Sequence, residues 1–198
     1  MKSEIRKINK IKRAAMDGGE VTQKSNAAAK LFLASSLYEN AKHIMLYKPL
    51  GNETDTTDII DAAFGDGKIV YFPVTDAQSG EITPCSATNE TQFVKGAFSV
   101  SEPANTDVAD VGEIELILVP GIAFDKKGAR VGFGKGCYDR LLQNSSAIKV
   151  GFCYDFQLCE EIPSEQHDVT MDYIVTETRI INCKVSRNVH FLCQKSSR

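Results

Sequence analysis

Five short apolar runs, at residues 43–47, 69–72, 114–119, 150–152 and 173–175, restrict the fold more than any other feature of this chain. Each is too short for a core helix and continuous enough to be buried on both faces, as strands of a parallel sheet are. Segments of helical spacing separate several of them. Asp55-Thr56 can cap a helix carrying Ile59, Ile60, Ala63 and Phe64, while Cys137, Tyr138, Leu141 and Leu142 form the inward stripe of another. Strands alternating with helices predict an α/β protein, a three-layer α/β/α sandwich around a mostly parallel, Rossmann-like sheet.

Two helices precede the first run. The spacing predicts a charged helix over residues 2–16, with Ile5, Ile8 and Ile11 on one stripe and Gly18-Gly19 ending it. A second helix is predicted over about 20–39, with Ala28, Leu31, Phe32 and Tyr38 near helical spacing. Between residues 75 and 112, breaks at Gly80, Pro84, Gly96 and Pro103 predict an irregular hairpin and loops. A length of 198 residues fits one domain, with residues 194–198 frayed at its end.

The formal charge of −3 gives no case for a nucleic-acid binder, so any anion site must come from local placement of charge. Six cysteines are scattered without a Cys-x-x-Cys pair, and the three histidines lie far from paired cysteines. Free thiols in a reducing cytoplasm are therefore expected, with neither disulfides nor zinc. No apolar run follows the basic start, and none approaches the roughly 20 residues of a membrane span. A cytoplasmic monomer with neither leader nor membrane span is the expectation.

The densest chemistry lies in Arg130, Val131, Gly132, Phe133, Gly134, Lys135, Gly136, Cys137 and Tyr138, between the end of an apolar run near Pro120 and a helix. Alternating glycines let backbone N–H groups converge on one point, and Arg130 and Lys135 add full positive charge. This is the make-up of a phosphate cradle at a helix start. A Walker loop would need Ser or Thr where Gly136 stands, and the dinucleotide fingerprint needs a different glycine spacing. A plain strand-to-helix turn remains the competing reading of the glycines. Asp139, one turn into the helix, is either a Mg²⁺ ligand beside phosphate or a first-turn acid that favours the helix dipole. Asp172 is a second candidate carboxylate, otherwise a turn residue. Lys2 and Arg6 share a helix face, either solvated or reaching toward phosphates. Glu53 follows the first run, in a loop where ligands of open α/β sheets bind. His167-Asp168 suggests acid–base chemistry, but no suitably placed nucleophile accompanies it.

Taken in order, these segments resemble the 5-formyltetrahydrofolate cyclo-ligase family. The likeness runs through Lys2-x-x-Ile-Arg6, Glu53-Thr-Asp-Thr56, Val70-Tyr-Phe-Pro73, Glu102-Pro103 and Pro120-Gly-Ile-Ala-Phe-Asp125. Its most specific part is that last segment together with Arg130-Val-Gly-Phe-Gly-Lys-Gly-Cys-Tyr-Asp-Arg140, and it closes on Gln157-Leu158, Ile162-Pro163, His167-Asp168 and Asp172-Tyr-Ile-Val-Thr-Glu177. The resemblance implies ATP- and Mg²⁺-dependent closure of 5-formyltetrahydrofolate to 5,10-methenyltetrahydrofolate, releasing ADP and phosphate. By the same resemblance, Lys2, Arg6 and the 130–138 loop bind ATP, with Arg130 and Lys135 as its catalytic cations. Asp139 and Asp172 hold magnesium, Glu53 hydrogen-bonds the pterin, and Lys48 and Tyr138 contact the folate. Tyr71 and Phe72 are expected to add aromatic surface to the pterin or its benzoyl arm.

Two departures stand out. Cys137 replaces a usual aromatic residue, and with no Trp in the chain, Phe93 or Phe98 must serve where the family commonly places one before Glu102-Pro103. A non-catalytic binder on the same fold, or a kinase of another small molecule, are the alternative functions. Retention of Lys2, Arg6, Asp139 and Glu53 together favours catalysis, because a pure binder need not keep both reacting ends.

Overall fold

The computed structural model describes residues 1–104, 107–165 and 167–185. The expected frayed end at 194–198, with Cys193 and His190, lies outside them. The chain opens with α1 (Lys2–Ala14), α2 (Gly18–Leu33) and α3 (Ser36–Asn40), followed by β1 (His43–Met45), α4 (Thr57–Gly65), β2 (Ile69–Thr75) and β3 (Ile82–Ala87). Next come β4 (Phe93–Lys95), β5 (Ser101–Pro103), β6 (Leu116–Val119), β7 (Ala123–Asp125) and β8 (Arg130–Val131). The described part closes with α5 (Cys137–Gln143), β9 (Ile148–Phe152), β10 (Leu158–Cys159), β11 (Tyr173–Val175) and β12 (Ile180–Asn182).

A seven-stranded sheet runs β12-β11-β9-β6-β1-β2-β3. Its five inner strands are parallel, and β3 and β12 add antiparallel edges. Each of those five strands overlaps one of the five apolar runs, with β1 and β6 shorter than theirs. Their side chains alternate between two cores, as a strand period of two requires. Ile44, Val70, Phe72, Leu116, Leu118 and Val175 pack with Ala28 and Phe32 of α2, Tyr38 of α3 and Ile59, Ile60 and Ala63 of α4. Met45, Tyr71, Ile117, Val119 and Ile174 face the other way, onto Leu141 and Leu142 of α5. Burying each such side chain contributes about 1.5–3 kcal/mol. The expected α/β architecture with helices on both faces is what forms.

The helical boundaries differ from the sequence reading. Gly18-Gly19 does not close α1; it forms the first turn of α2, where Asp17 caps by accepting from the Glu20 N–H at 2.8 Å. First-turn N–H groups have no partner within the helix, so glycine costs less there than in the interior. The expected 20–39 helix is broken at Ser35. Its hydroxyl donates to Phe32 O at 2.6 Å and accepts from the Tyr38 N–H at 3.4 Å, ending α2 and starting α3. Ile8 and Ile11 do not form a buried stripe but point to solvent. The inward face of α1 carries Lys2, Ile5, Arg6, Asn9 and Arg13, with Ile5 packed beside Ala123, Ala129, Val131 and Ile162.

The polar loop expected after Pro120 is structured. β7 and β8 form a hairpin that β10 extends into a three-stranded sheet. Asp125 sets its turn, accepting from the N–H groups of Lys127, Ala129 and Ile162 at 2.9, 3.0 and 2.9 Å. This small sheet docks on the large one through Phe124. The ring lies where side chains on Gly121 and Gly151 would stand: a Cβ at Gly151 would come within 2.6 Å of it, and at Gly121 within 2.4 Å. The irregular excursion of residues 75–112 supplies β3 and the β4–β5 ribbon.

A Gly151→Val substitution should therefore overpack this seam. The expected loss is about 1–3 kcal/mol, read as a lower urea midpoint at unchanged m. Combining it with Phe124→Leu should recover part of the loss.

Candidate active site

The sheet order places the neighbours β1 and β6 at the point where the chain departs to opposite sides. From β1 it crosses by α4 to β2, and from β6 by α5 to β9. The loops leaving such a pair separate and open a crevice at the carboxyl ends of the strands. Here those loops are residues 46–56 and 120–136. A cleft of about 530 Å³ lies against them, lined by Lys2 and Arg6, by Tyr47, Lys48, Leu50 and Glu53, and by every residue from Arg130 to Asp139. Phe98, Glu165, His167 and Asp168 complete its rim, along with Pro73, Thr75, Ile82, Val100 and Pro120.

One end of the cleft is cationic. The Arg130 side chain is only 6 % exposed and pairs with Asp139, Nη2 to Oδ1, at 3.0 Å. Its Nη1 donates to Pro120 O at 3.4 Å, yet its buried Nε has no partner among the described residues. A buried donor left unmade is costly, so an acceptor, water or a ligand oxygen, is needed to satisfy it. Gly134 and Gly136 have φ of +101° and +66°, a left-handed backbone that favours glycine. Arg6 holds the loop from outside, Nε to Gly132 O at 2.9 Å. Lys135 Nζ stands 3.6 Å from the centre of the Phe98 ring.

Lys2 reaches the same cleft, but it is bonded to Asp168 at 2.6 Å and Glu165 at 3.3 Å. Burial would lower its pKa, and the two acids outweigh that, leaving it raised. Burial would raise Asp168, and the bond from Lys2 leads the effects that instead hold it below the usual carboxylate range.

The other end is apolar around one buried acid. Glu53 accepts from the Leu50 N–H at 2.9 Å and pairs with Arg13 at 3.5 Å. Burial pushes its pKa up, partly opposed by Arg13 and the Leu50 N–H. The loop carrying it is tied down by Tyr47 Oη donating to Thr54 O at 2.9 Å and Thr56 Oγ1 donating to Tyr47 O at 2.6 Å. Tyr154 Oη adds a bond to Glu53 O at 3.2 Å. Burial also raises Tyr138 and Tyr47, so both phenols stay protonated at neutral pH. Lys48 Nζ lies 4.7 Å from the Phe93 ring centre.

The structure thus brings the sequence candidates together, with three exceptions. Asp172 is not among the cleft-lining residues; it accepts from the Lys149 N–H at 2.9 Å and pairs with Lys184 at 3.1 Å, tying β9 to β12. Tyr71 and Phe72 do not line the cleft either. They are buried in the two cores, Tyr71 bonded to His43 at 2.8 Å, because successive strand residues face opposite layers of packed helix. Of the two phenylalanines left open by the sequence, Phe98 lines the cleft, at a left-handed φ of 54°. Cys137 sits under the β2–β3 turn, where its Sγ is 3.2 Å from the Cβ position of Gly80 and Arg140 bonds Ser79 O and Gly80 O. Sequence reasoning missed Arg13, whose signal was its place with Lys2, Arg6 and Asn9 on one helical face.

Asp139 offers a single carboxylate oxygen, and no all-protein metal cage surrounds it among the described residues. Its Oδ1 is taken by Arg130 and approached by the Val169 N–H at 3.4 Å, and Oδ2 has no protein partner among the described residues. No group of three His, Cys, Asp or Glu side chains is placed to hold a metal among those residues. One carboxylate completed by phosphate oxygens and water is what Mg²⁺ prefers. No helix among the described residues is long and apolar enough to cross a membrane.

The profile of the 5-formyltetrahydrofolate cyclo-ligase family matches residues 1–177. The chain is 32 % identical to the 5-formyltetrahydrofolate cyclo-ligase of Escherichia coli K12, over 71 % of this chain and 80 % of that one. It is 28 % identical to the mouse protein of the same name, over 82 % and 87 %. The solution structure of Aquifex aeolicus 5,10-methenyltetrahydrofolate synthetase superposes with a TM-score of 0.82 at 31 % identity, covering 92 % of each chain.

The Lys2–Asp168 pair latches the start of α1. Asp168, with its depressed pKa, contributes stability that is present above the ordinary carboxylate value of 3.8 and lost as pH falls through its lower folded value. Amide exchange in the first turn of α1, relative to its intrinsic rate, should accelerate in that acid range, and Lys2→Met should weaken the pH dependence, leaving the part due to the Glu165 N–H. The pair is partly exposed, so the effect should stay within about 1 kcal/mol.

Proposed function

The chain belongs to the 5-formyltetrahydrofolate cyclo-ligase family, and from that premise we propose how its cleft carries out ATP-driven ring closure. It is a cyclo-ligase enzyme of folate and one-carbon metabolism, and the family implies 5-formyltetrahydrofolate and ATP as its substrates. The observation that carries the assignment is the pairing, within one cleft, of the orphaned donor of buried Arg130 with the buried carboxylate of Glu53. One end asks for an anion, and the other for a neutral donor-bearing ring.

ATP lies at the cationic end, with its phosphates against residues 130–138. Arg130 Nε, Lys135 and Arg6 are the donors, and Lys2 joins them by exchanging carboxylate for phosphate oxygens. Asp139 is the residue that would hold Mg²⁺, which would supply charge neutralisation beside the phosphates. The pterin edge donates to Glu53, with Tyr47, Tyr138 and Phe98 as walls, and Lys48 meets the more polar part of the folate.

In this arrangement the formyl oxygen attacks the γ-phosphorus and the bridging bond to ADP breaks. The electron pair of folate N10 then attacks the formyl carbon, which is now an iminium phosphate. The carbon–oxygen bond breaks, inorganic phosphate leaves with the electron pair, and the N10 proton is lost. No protein nucleophile is required, because alignment and charge neutralisation supply the catalysis. Arg130 and Lys135 therefore act as catalytic cations on the transferring group.

Mixing purified protein with Mg-ATP and 5-formyltetrahydrofolate should generate the near-ultraviolet chromophore of methenyltetrahydrofolate together with ADP. ATP consumption without that chromophore would overturn the ring-closure chemistry. Lys135→Met should lower kcat by about 10²–10³-fold, as loss of one preorganised donor does. Asp139→Ala should abolish Mg-dependent turnover while the far-ultraviolet spectrum is kept.

A further inference from the structure

Arg13 has no part in the assignment above, yet it is the one charged side chain within ion-pair distance of Glu53 among the described residues. Both side chains are nearly enclosed, 11 % and 7 % exposed. The other titratable groups facing Glu53 are Tyr47 on its own segment, Tyr138 on α5 and Tyr154 after β9, all phenols whose pKa burial raises. Neutral phenols leave Arg13 as the balancing charge for that carboxylate.

The guanidinium is itself held in place. Its carbon stands 5.7 Å from the ring centre of Phe133, the exposed tip of the glycine-rich loop, which Lys10 also approaches at 5.1 Å. The Arg13 carbonyl accepts from Asn52 Nδ2 at 3.0 Å, one residue before Glu53. A single side chain on α1 thus touches the loop at the nucleotide end and the acid at the folate end.

We propose that Arg13 is a positioning residue for folate recognition, holding Glu53 ionised and oriented so that its carboxylate accepts from the pterin. The inference rests on the reading of Glu53 as the pterin acceptor. An ionised carboxylate accepts at both oxygens and protonation turns one of them into a donor, so affinity that depends on both acceptors is present above its pKa and is lost as pH falls through that value. Burial moves that pKa up and Arg13 moves it back. Removing the cation therefore carries the loss of affinity toward neutral pH.

The test is the pH profile of kcat/KM for 5-formyltetrahydrofolate, at saturating Mg-ATP, for the natural protein and for R13M, R13K and E53Q. Expected is an acid limb displaced upward by about 1 pH unit in R13M, mostly restored in R13K, with the loss residing in KM rather than kcat. R13Q carries the same test if R13M does not fold. An unchanged limb position in the charge-removing variants, with kcat/KM lowered equally at every pH, would overturn the proposal. If E53Q leaves the folate KM unchanged, the reading of Glu53 fails instead, which separates the two ideas.

Discussion

Parallel pairing of β1 with β6 places side by side two strands from which the chain departs in opposite directions, by α4 on one face and α5 on the other. Right-handed crossovers allow no other disposition of two successive strand–helix–strand units that share a central pair. Because the departing loops diverge, the carboxyl ends of these strands cannot be covered by their own connections. Glu53 hangs from one loop and Arg130 to Asp139 from the other, so two chemically unlike ends come to share one cleft. The rest of the structure builds on that opening. Phe124 seats the small sheet against β9 through the space left by Gly151, and the small sheet brings Arg130 to the cleft floor.

α1 closes the third side, and it does so with its amphipathicity reversed. Its inward stripe holds Lys2, Arg6, Asn9 and Arg13, while Ile8 and Ile11 meet water. Such a face is stable only if its charges find partners, since unpaired buried charge costs several kcal/mol. Asp168 and Glu165 serve Lys2, the Gly132 carbonyl serves Arg6, and Glu53 serves Arg13. These partners lie far away in the chain and along the length of the cleft. The helix is therefore secured by the groups that a ligand would contact, which ties its docking to the state of the site.

Much of this was legible in the sequence, and the remainder was obscured for identifiable reasons. The five apolar runs became the five parallel strands because burial on both faces leaves a composition that no exposed element shares. Residues 130–139 were readable because glycine at a left-handed turn and a cation beside it are local signals, and Gly134 and Gly136 adopt the required backbone. The stripe of α1 was misread because isoleucine at helical spacing is ordinarily the buried face, and here a charged cleft lies on the other side. Tyr71 and Phe72 looked like ligand surface but alternate between the two cores. Asp172 stands next to a strand in sequence, yet its carboxylate is spent on Lys149 and Lys184.

By itself the sequence determined the fold class, the order of the strands along the chain, and the glycine-rich turn that enters α5, all of which depend on local periodicity and on chemistry within a few residues. Tertiary structure alone decided that the loop ends of β1 and β6 face one cleft, that Lys2 is held by Asp168, and that Arg13 pairs with Glu53. Contacts across long chain separations depend on which faces meet when layers pack. A one-dimensional pattern specifies that a face is polar or apolar, but only packing selects what lies opposite it.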